Sequence, residues 1–330
     1  MRRGSVLFLL VLALLVLPAL GLTLVRVLQP GGGLAVRAVS FTPLALPLYL
    51  IALLLVLVRA FAARGSGTRP WTWTALALVA GAAVHAWWLS PQFIGDAPAA
   101  EAPGQPLTVM TLNLKEGAAD PPRVVETAAE QRVDVLVLEE ITPAALRQLE
   151  RYGIAQAFPY RVGEPAEARG GTMVLSAHRV SRPERLPTEL GSWAAEVVSP
   201  QGVLRLYAVH VESPTLSNTR WGRDLSTLRR LAADDAELDL IVGDLNATPD
   251  HAPLQQLGDD GWRNAAELTN EGWQPTWPDN GERTVLLLPV PRLVQIDHLL
   301  LAHSMTALDT STHPVQGTDH RAVVAEVAFR

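Results

Sequence analysis

The stretch from Leu240 to Pro249 reads LIVGDLNATP and sets the pattern for the soluble part of the chain. Its apolar run is typical of a buried strand and stops at Gly243, directly before Asp244 and Asn246. In open α/β sheets, ligands bind beyond the carboxyl ends of the strands. The stretch therefore predicts a strand that carries an acid and an amide into a binding cleft.

Composition divides the chain into an apolar first part and a charged second part. Residues 1–93 contain no Asp or Glu. The chain holds 27 Lys+Arg and 33 Asp+Glu, of which seven basic residues and one acidic residue precede residue 100. Residues 100–330 therefore hold 20 basic and 32 acidic residues, a net charge of −12. A surface this acidic repels polyanions unless a basic patch or bound cations offset it. Cysteine is absent, which excludes disulfide bonds and thiolate metal sites.

The first part holds three apolar runs, at about 5–28, 41–61 and 71–93. Each has about the 20 residues needed to cross a bilayer, and tryptophans lie near the ends of the third. The first run, preceded by Arg2 and Arg3, also fits a cleaved signal peptide. Because two more runs follow closely, we predict a membrane anchor with three transmembrane helices over 1–93, followed by a Pro/Ala/Gly linker over 94–106.

The placement of arginine predicts the orientation of this anchor. Five arginines lie before the first run and between the second and third, whereas two lie between the first and second: Arg2, Arg3, Arg59, Arg64 and Arg69 against Arg26 and Arg37. Positive loops stay in the cytoplasm. We therefore expect a multi-pass protein of the cell membrane, with everything after Phe93 outside the cytoplasm and membrane lipid as a partner.

From Leu107 onward the pattern becomes α/β. Apolar runs predict strands at 107–113, 134–140, 171–177, 192–199, 203–211, 238–244, 294–301 and 321–329. Helices are predicted at 121–132, 142–151 and 218–234, with a short one near 254–257. Many strands with few helices favour a sheet-on-sheet core with helices outside, formed by one domain over 107–330.

Polar side chains stand where several of these buried strands end. They are Asn113, Glu139, Glu140, His210, Asp244, Asn246, Asp297, Asp319 and His320. Each alone could be a helix cap, a turn residue or a satisfied core histidine. Together, oxygen donors suit Mg²⁺ (or Mn²⁺), carboxylates can deprotonate water, and histidines can donate to phosphate.

The order of these fragments resembles a known family. TLNL (111–114), LEE (138–140), VHVES (209–213), GDLNATP (243–249), QIDHLLL (295–301) and TDHRAVV (318–324) look like successive motifs of the endonuclease/exonuclease/phosphatase superfamily. The most specific are GD-hydrophobic-N-x-x-P and the late D-H-R. The resemblance implies a four-layer sandwich of two mixed β-sheets flanked by helices, here preceded by the three transmembrane helices.

The resemblance also implies roles for individual residues. Asn113, Glu140 and Asp319 would serve the divalent metal, and His210 would contact phosphate or donate a proton. Asp244 would activate water, Asn246 would hold the scissile phosphate, and Asp297 would orient His320, which donates to a phosphoryl oxygen. The chain departs from the family pattern at three positions. Family members often have Gln where this chain has Glu139, Ser where it has Thr318, and Pro where it has Ala322. The extra carboxylate of Glu139 is expected to strengthen cation attraction.

The substrate is less determined than the chemistry. Loops at 164–171, 214–224 and 273–292 carry arginines that could grip phosphate and tryptophans that could stack on a base or rest on lipid: Arg169, Arg220, Trp221, Arg223, Trp273, Trp277 and Arg283. Trp221 and Trp277 could equally be core residues, and Arg220 a solvated helix residue.

Three functions remain open. The first is a membrane-anchored phosphoesterase acting on a lipid headgroup, nucleotide or nucleic acid. The second is a nuclease outside the cytoplasm, and the third is a tethered binding module that has lost catalysis. No specific protein partner is predicted.

Overall fold

The computed structural model describes residues 3–62, 69–95, 106–279, 284–285, 288–289 and 291–330. It divides into two compact units, Met1–Pro91 and Gln92–Arg330. Of the sequence predictions, Arg2, Arg64, Arg283 and most of the linker (96–105) lie outside the described residues.

The first unit is helical. Its helices are α1 (Arg3–Leu28), α2 (Gly33–Val39), α3 (Ala45–Ala62) and α4 (Arg69–Leu89). Three segments, Ser5–Leu28, Thr42–Ala62 and Trp71–Gln92, are long and apolar enough by length and composition to cross a membrane. The short α2 was not predicted, and Arg59 and Arg69 lie inside α3 and α4 and not in the loop between them.

Small and polar residues join the helices of this unit. Ala19, Ala45 and Ala52 are fully buried, which lets the helix backbones approach closely. The hydroxyl of Thr23 on α1 lies 2.8 Å from the Tyr49 hydroxyl on α3 and 2.9 Å from His85 Nε2 on α4. His85 is thus a packed residue with a polar partner, and one polar contact set links all three long helices.

The second unit alternates strands and helices. Its strands are β1 (Leu107–Asn113), β2 (Val135–Glu139), β3 (Tyr160–Glu164), β4 (Thr172–Ser176), β5 (Arg179–Arg185), β6 (Trp193–Ser199), β7 (Gly202–His210), β8 (Leu240–Asp244), β9 (Arg263–Asn264), β10 (Thr284–Val285), β11 (Leu288–Pro289), β12 (Asp297–Leu301), β13 (Met305–Pro314) and β14 (Arg321–Phe329). Its helices are α5 (Pro121–Glu130), α6 (Pro143–Arg151), α7 (Ile154–Ala157), α8 (Asn218–Asp234), α9 (Ala252–Asp259) and α10 (Ala265–Thr269).

Two six-stranded sheets form the core of this unit. The first has the order β13-β14-β1-β2-β4-β3 and the second β5-β6-β7-β8-β12-β9. Each is mixed, because β1 pairs with β2 and β7 with β8 in parallel while their other neighbours are antiparallel. The strands β10 and β11 form a separate two-stranded sheet.

Alternation along the strands separates two buried faces. Val109 of β1 and Val242 of β8 belong to the cluster between the sheets, whereas Met110 and Leu112 of β1 pack with helix residues such as Val124 of α5. Odd and even positions of one strand thus serve different layers. The predicted sandwich of two mixed sheets flanked by helices is confirmed.

Six strands and one strand boundary were not predicted; three of the six, β9, β10 and β11, have only two residues each. β3 and β5 are largely exposed, and β13 is rich in Thr and Ser, so none shows the apolar run on which strand prediction depends. Asp297 begins β12, although the sequence placed it inside a strand over 294–301. That shift puts its carboxylate at the edge of the sheet.

Candidate active site

The site residues of the second sheet lie side by side because of the strand register. His210 at the end of β7 pairs with Asp244 at the end of β8, and Asp244 pairs with Asp297 at the start of β12. Each continues a row of side chains that fills the space between the sheets, such as Leu240 and Val242 before Asp244. The same alternation that builds the core therefore turns three ionisable groups inward at one edge.

Asn113 connects the two sheets at this edge. Its Nδ2 donates to Asp244 Oδ2 at 3.0 Å and to Glu140 Oε1 at 3.3 Å. Its Oδ1 accepts from the backbone N–H of Lys115 at 2.9 Å. Glu140 also accepts from the backbone N–H of Glu116 at 2.6 Å. The amide thus presents its donors, not its oxygen, to the two carboxylates.

Asp244 is held from two sides and is 1% exposed. Its Oδ1 accepts from the backbone N–H of Asn246 at 2.8 Å, and its Oδ2 from Asn113. Burial and then the charge of Asp297 raise the pKa of Asp244 to about 7, against opposing effects of His320 and these hydrogen bonds. A carboxylate with this pKa can take up a proton at neutral pH.

His320 and Asp297 form a buried ion pair. His320 Nδ1 donates to the Asp297 carboxylate at 3.0 and 3.1 Å. Burial lowers the pKa of His320, but the charge of Asp297, its hydrogen bond and the charges of Asp244 and Asp319 outweigh this and raise it to about 10. The imidazole is therefore protonated at neutral pH, with Nε2 4.0 Å from Asp244 Oδ2.

Hydroxyl groups fix the backbone around this pair. Thr318 Oγ1 accepts from the N–H of His320 at 3.1 Å and donates to the carbonyl of Asn113 at 2.7 Å. Thr276 Oγ1 accepts from the N–H of Asp297 at 3.3 Å. Thr318 thus does what the hydroxyl of the family's Ser would do, and it ties the late D-H-R segment to β1.

His210 is neutral in this arrangement. Its Nδ1 donates to the carbonyl of Arg169 at 3.1 Å, while Nε2 lies 3.7 Å from Glu140 Oε1 and 3.8 Å from Asp244 Oδ2. Burial, followed by the charges of His320 and Arg169, lowers the pKa of His210 to about 3. Nε2 consequently offers a lone pair to the pocket, which favours contact with a ligand over proton donation.

Trp221 lies in the core and supports Asn246. It is 6% exposed, packs edge-on against His251 and donates its indole N–H to the carbonyl of Asn246 at 2.9 Å. Asn246 has a left-handed φ of 47° and donates its amide to the carbonyl of Val211 at 3.0 Å. Trp221 was predicted to be either a substrate-contacting residue or a core residue, and the structure shows it buried in the core.

The remaining predicted substrate residues lie at the edges of the site. Trp277 is half-buried and donates its indole N–H to Asp319 Oδ2 at 3.1 Å. Arg169 pairs with Glu212 at 2.9 Å, and the more exposed Arg220 begins α8 and not a loop. Trp277 thus orients Asp319, and both arginines approach Glu212, two residues after His210.

Glu139 does not act as the sequence suggested. It is fully buried, accepts from Thr111 Oγ1 at 2.7 Å, and its Oε2 has no hydrogen-bond partner among the described residues. Burial raises its pKa well above the ordinary value. Its position on the inter-sheet face, beside Asn113 in the strand register, accounts for this burial, which favours the protonated carboxyl over the charged form that attracts cations.

Sequence reasoning missed Glu212, a buried acid two residues after His210. It lies within VHVES, but an acid after a strand usually indicates a solvated loop, and only the contact with Arg169 shows otherwise. Thr276 was missed for the same reason, since a hydroxyl in a loop carries no distinctive signal.

Comparison with known proteins identifies the architecture. Residues 110–320 match the sequence profile of the Endonuclease/Exonuclease/phosphatase family. No curated protein matches significantly. A solved endonuclease/exonuclease/phosphatase from Beutenbergia cavernae DSM 12333 is 19% identical, with 68% of this chain and 72% of that chain covered and a TM-score of 0.51. D. rerio TDP2, complexed with single-strand DNA product, is 18% identical over 67% and 98% with a TM-score of 0.55.

A third solved structure, a family protein from Bacteroides thetaiotaomicron, is 12% identical over 69% of this chain and 100% of that one, with a TM-score of 0.53. At these identities the likeness shows a shared fold. The two sheets and the flanking helices described above are the part of the chain that these proteins share.

Proposed function

Because the chain belongs to the endonuclease/exonuclease/phosphatase family, we propose that it is a membrane-anchored, divalent-metal-dependent phosphoesterase that directs water at a phosphodiester or phosphomonoester. One observation carries the proposal. Asp244 lies between Asn113 of the opposite sheet, at 3.0 Å, and the Asp297–His320 ion pair, all buried at one edge of the sandwich. In the proposed mechanism Asp244 serves as the base and His320 as the acid of one pocket.

The residues present fit a divalent cation. Glu140, Asp244 and Asp297 bring three carboxylates into a buried pocket, and burial raises the pKa of Glu140 and of Asp244. The pocket is therefore short of positive charge, and carboxylate oxygens are the ligands that Mg²⁺ and Mn²⁺ prefer. A bound cation would neutralise charge and polarise a phosphoryl oxygen.

Two groups of residues could hold the cation. Ligand atoms of Asp244, Asp297 and His320 lie within 4.8 Å of one another. However, His320 Nδ1 is engaged by Asp297 and the imidazole is protonated, and a protonated imidazole cannot ligate a metal. We therefore assign the cation to Glu140, with Asn113 and Asp319 beside it. Asn113 Oδ1 would first have to give up its contact with Lys115.

The remaining residues handle the proton and the phosphate. Asp244 accepts the proton of the attacking water, since its pKa is near neutrality and two hydrogen bonds fix its orientation. His320 presents its Nε2–H to a phosphoryl oxygen, while Asp297 holds the ring and its charge. Asn246 retains a second amide N–H for the scissile phosphate.

We also propose that the apolar helices α1, α3 and α4 hold the domain at the cell membrane, with the domain outside the cytoplasm. Their length and composition support the anchoring, and the arginine distribution supports the orientation. A reporter fused to the C-terminus tests this: reporter activity in the cytoplasm would reverse the orientation.

Nuclease activity is the second candidate. TDP2, which shares the fold, was solved with a single-strand DNA product, and arginines flank the pocket of this chain. The net charge of −12 opposes tight duplex binding, so single strands or short ends are the better nucleic-acid candidates. Cleavage of a single-stranded oligonucleotide but not of phospholipid would favour this activity.

The decisive experiment uses the full chain in detergent with bis-p-nitrophenyl phosphate. We expect hydrolysis with Mg²⁺ or Mn²⁺, none with EDTA, and loss of activity in Asp244→Ala and His320→Ala while the proteins stay folded. The exposed Asp309→Ala is the control. Equal activity in all variants would refute the site, and no activity on any phosphoester of a broad panel would favour a binding module.

A further inference from the structure

Two arginines, Arg169 and Arg220, stand next to the candidate active site; we call them the arginine pair. The imidazole of His210 separates them from the catalytic carboxylates: its Nε2 faces Asp244, and its Nδ1 donates to the carbonyl of Arg169. The side chain of Arg169 is 30% exposed and that of Arg220 is 57% exposed. Both guanidinium groups are therefore accessible from solvent at the edge of the pocket.

A buried carboxylate holds the arginine pair in place. Glu212, whose side chain is 4% exposed, accepts from Arg169 Nη1 at 2.9 Å and from the backbone N–H of Ser213 at 2.8 Å. Its own backbone N–H donates to the buried Asp224 of α8 at 3.1 Å. An ionised carboxylate is costly to bury unless it is paired and hydrogen-bonded. Glu212 therefore fixes Arg169 from below and leaves its outer face open.

Arg220 has room for a further partner. Its nearest carboxylates, Glu212 at 4.0 Å and Glu189 at 3.9 Å, lie beyond the roughly 2.7–2.9 Å of a charge-assisted hydrogen bond. In a domain of net charge −12, Arg169 and Arg220 therefore form a local group of basic side chains at which an anion can bind.

We propose that Arg169 and Arg220 bind a second phosphate group of the substrate, next to the phosphoester that is hydrolysed. The inference rests on the proposed function and narrows its substrate class. Guanidinium groups match the oxygen geometry of phosphate, and each presents several N–H donors, of which Glu212 and Glu189 engage only some. A cationic headgroup would instead be repelled. Phosphorylated nucleotides and phosphorylated inositols share the required chemistry.

Binding of product-like ligands to the full chain in detergent with Mg²⁺ tests the proposal by isothermal titration calorimetry. The matched ligands are thymidine 5′-phosphate against thymidine 3′,5′-bisphosphate, and inositol 1-phosphate against inositol 1,4-bisphosphate. In at least one pair, the bisphosphate should bind about tenfold tighter or more, as expected for an added charge-assisted hydrogen bond. The pair that shows the preference identifies the source as nucleotide or inositol.

Arg220→Gln should abolish the preference, and its exposure makes misfolding no concern. The matched control is Arg230→Gln, which removes the same charge from an exposed position on the same helix; here the preference should persist. Equal affinities within both pairs, no binding of either bisphosphate, or equal effects of the two variants would each overturn the proposal. Because binding needs no turnover, an intact preference without any hydrolysis would refute the phosphoesterase function alone.

Discussion

Replacing Asp297 with Asn should move the alkaline limit of activity by several pH units. In the wild type, Asp297 holds the proton on the buried His320, whose pKa is about 10 against an ordinary 6.5. That difference corresponds to on the order of 5 kcal/mol in favour of the charged imidazole. Without the carboxylate, burial is opposed only by the weaker effects of the charges of Asp244 and Asp319, so the pKa of His320 should fall to about 6.5 or below.

At about pH 7.5, no more than roughly a tenth of the variant would then carry the proton. If His320 donates to phosphate as proposed, hydrolysis of bis-p-nitrophenyl phosphate should fall at least about tenfold at that pH, and its alkaline limb should move from near 10 to below 6.5. The assay is a pH–rate profile, with ¹⁵N NMR of the imidazole as an independent readout. Asp309→Asn is the control, since it removes an equal charge from an exposed position on β13.

Stability gives a second, independent check of the same pair. The folded-state pKa of His320 is raised, so its contribution to the free energy of unfolding is complete below about 6.5 and is lost as the pH rises through about 10. Wild-type stability should decline across that interval, and the decline should be absent in Asp297→Asn. An unchanged alkaline limb, or an NMR pKa that stays near 10 in the variant, would refute the reasoning.

The other predictions concern the centre of the site. Asp244→Asn should abolish hydrolysis yet raise the Tm in EDTA at pH 8, because the raised pKa of Asp244 means that its ionisation costs stability as the pH rises from about 4 through about 7; an unchanged or lower Tm would contradict this. Glu139→Gln should keep activity within a few-fold, since burial favours the protonated carboxyl and the amide has the same shape; a large loss of activity would show that the charged form is needed. Trp221→Phe should lower kcat about tenfold with little change in KM, because the loss of one hydrogen bond frees Asn246; a rise in KM alone would place Trp221 in substrate binding. Saturating Mg²⁺ should raise the Tm, because a ligand at a hundred times its Kd stabilises the folded protein by about 2.7 kcal/mol. Glu140→Gln should remove this increase in Tm.

The parts of the fold that bury apolar surface were readable from the sequence. The strand over 107–113, the helix over 218–234 and the strand over 321–329 have the predicted bounds. Thr142, at the start of the predicted helix over 142–151, caps α6 by accepting from the backbone N–H of Ala145. In each of these segments the local pattern and the tertiary environment favour the same structure.

Segments stabilised by their neighbours were not readable. β5 contains Pro183 and charged residues, which do not indicate a strand. It forms because its backbone pairs with β6, and no pattern of side chains in the sequence indicates that pairing. The same holds within the site. The sequence identified the acids and histidines at the strand ends, but not how Glu139 and Glu140 are held: Glu139 accepts from Thr111, whereas Glu140 accepts from Asn113 and from the backbone N–H of Glu116. That difference depends on the left-handed backbone of Glu140, with a φ of 53°, directly after β2 ends.

The position of β14 has a consequence for when the domain becomes competent during synthesis. β14 inserts between β13 and β1, so the first strand of the domain keeps an open edge until the chain has been made as far as Phe329. His320 directly precedes this strand and reaches its place with it. A growing chain therefore carries the carboxylates long before the histidine that pairs with them. If the proposed mechanism holds, we expect activity only after the sandwich closes and none in chains that end before residue 320.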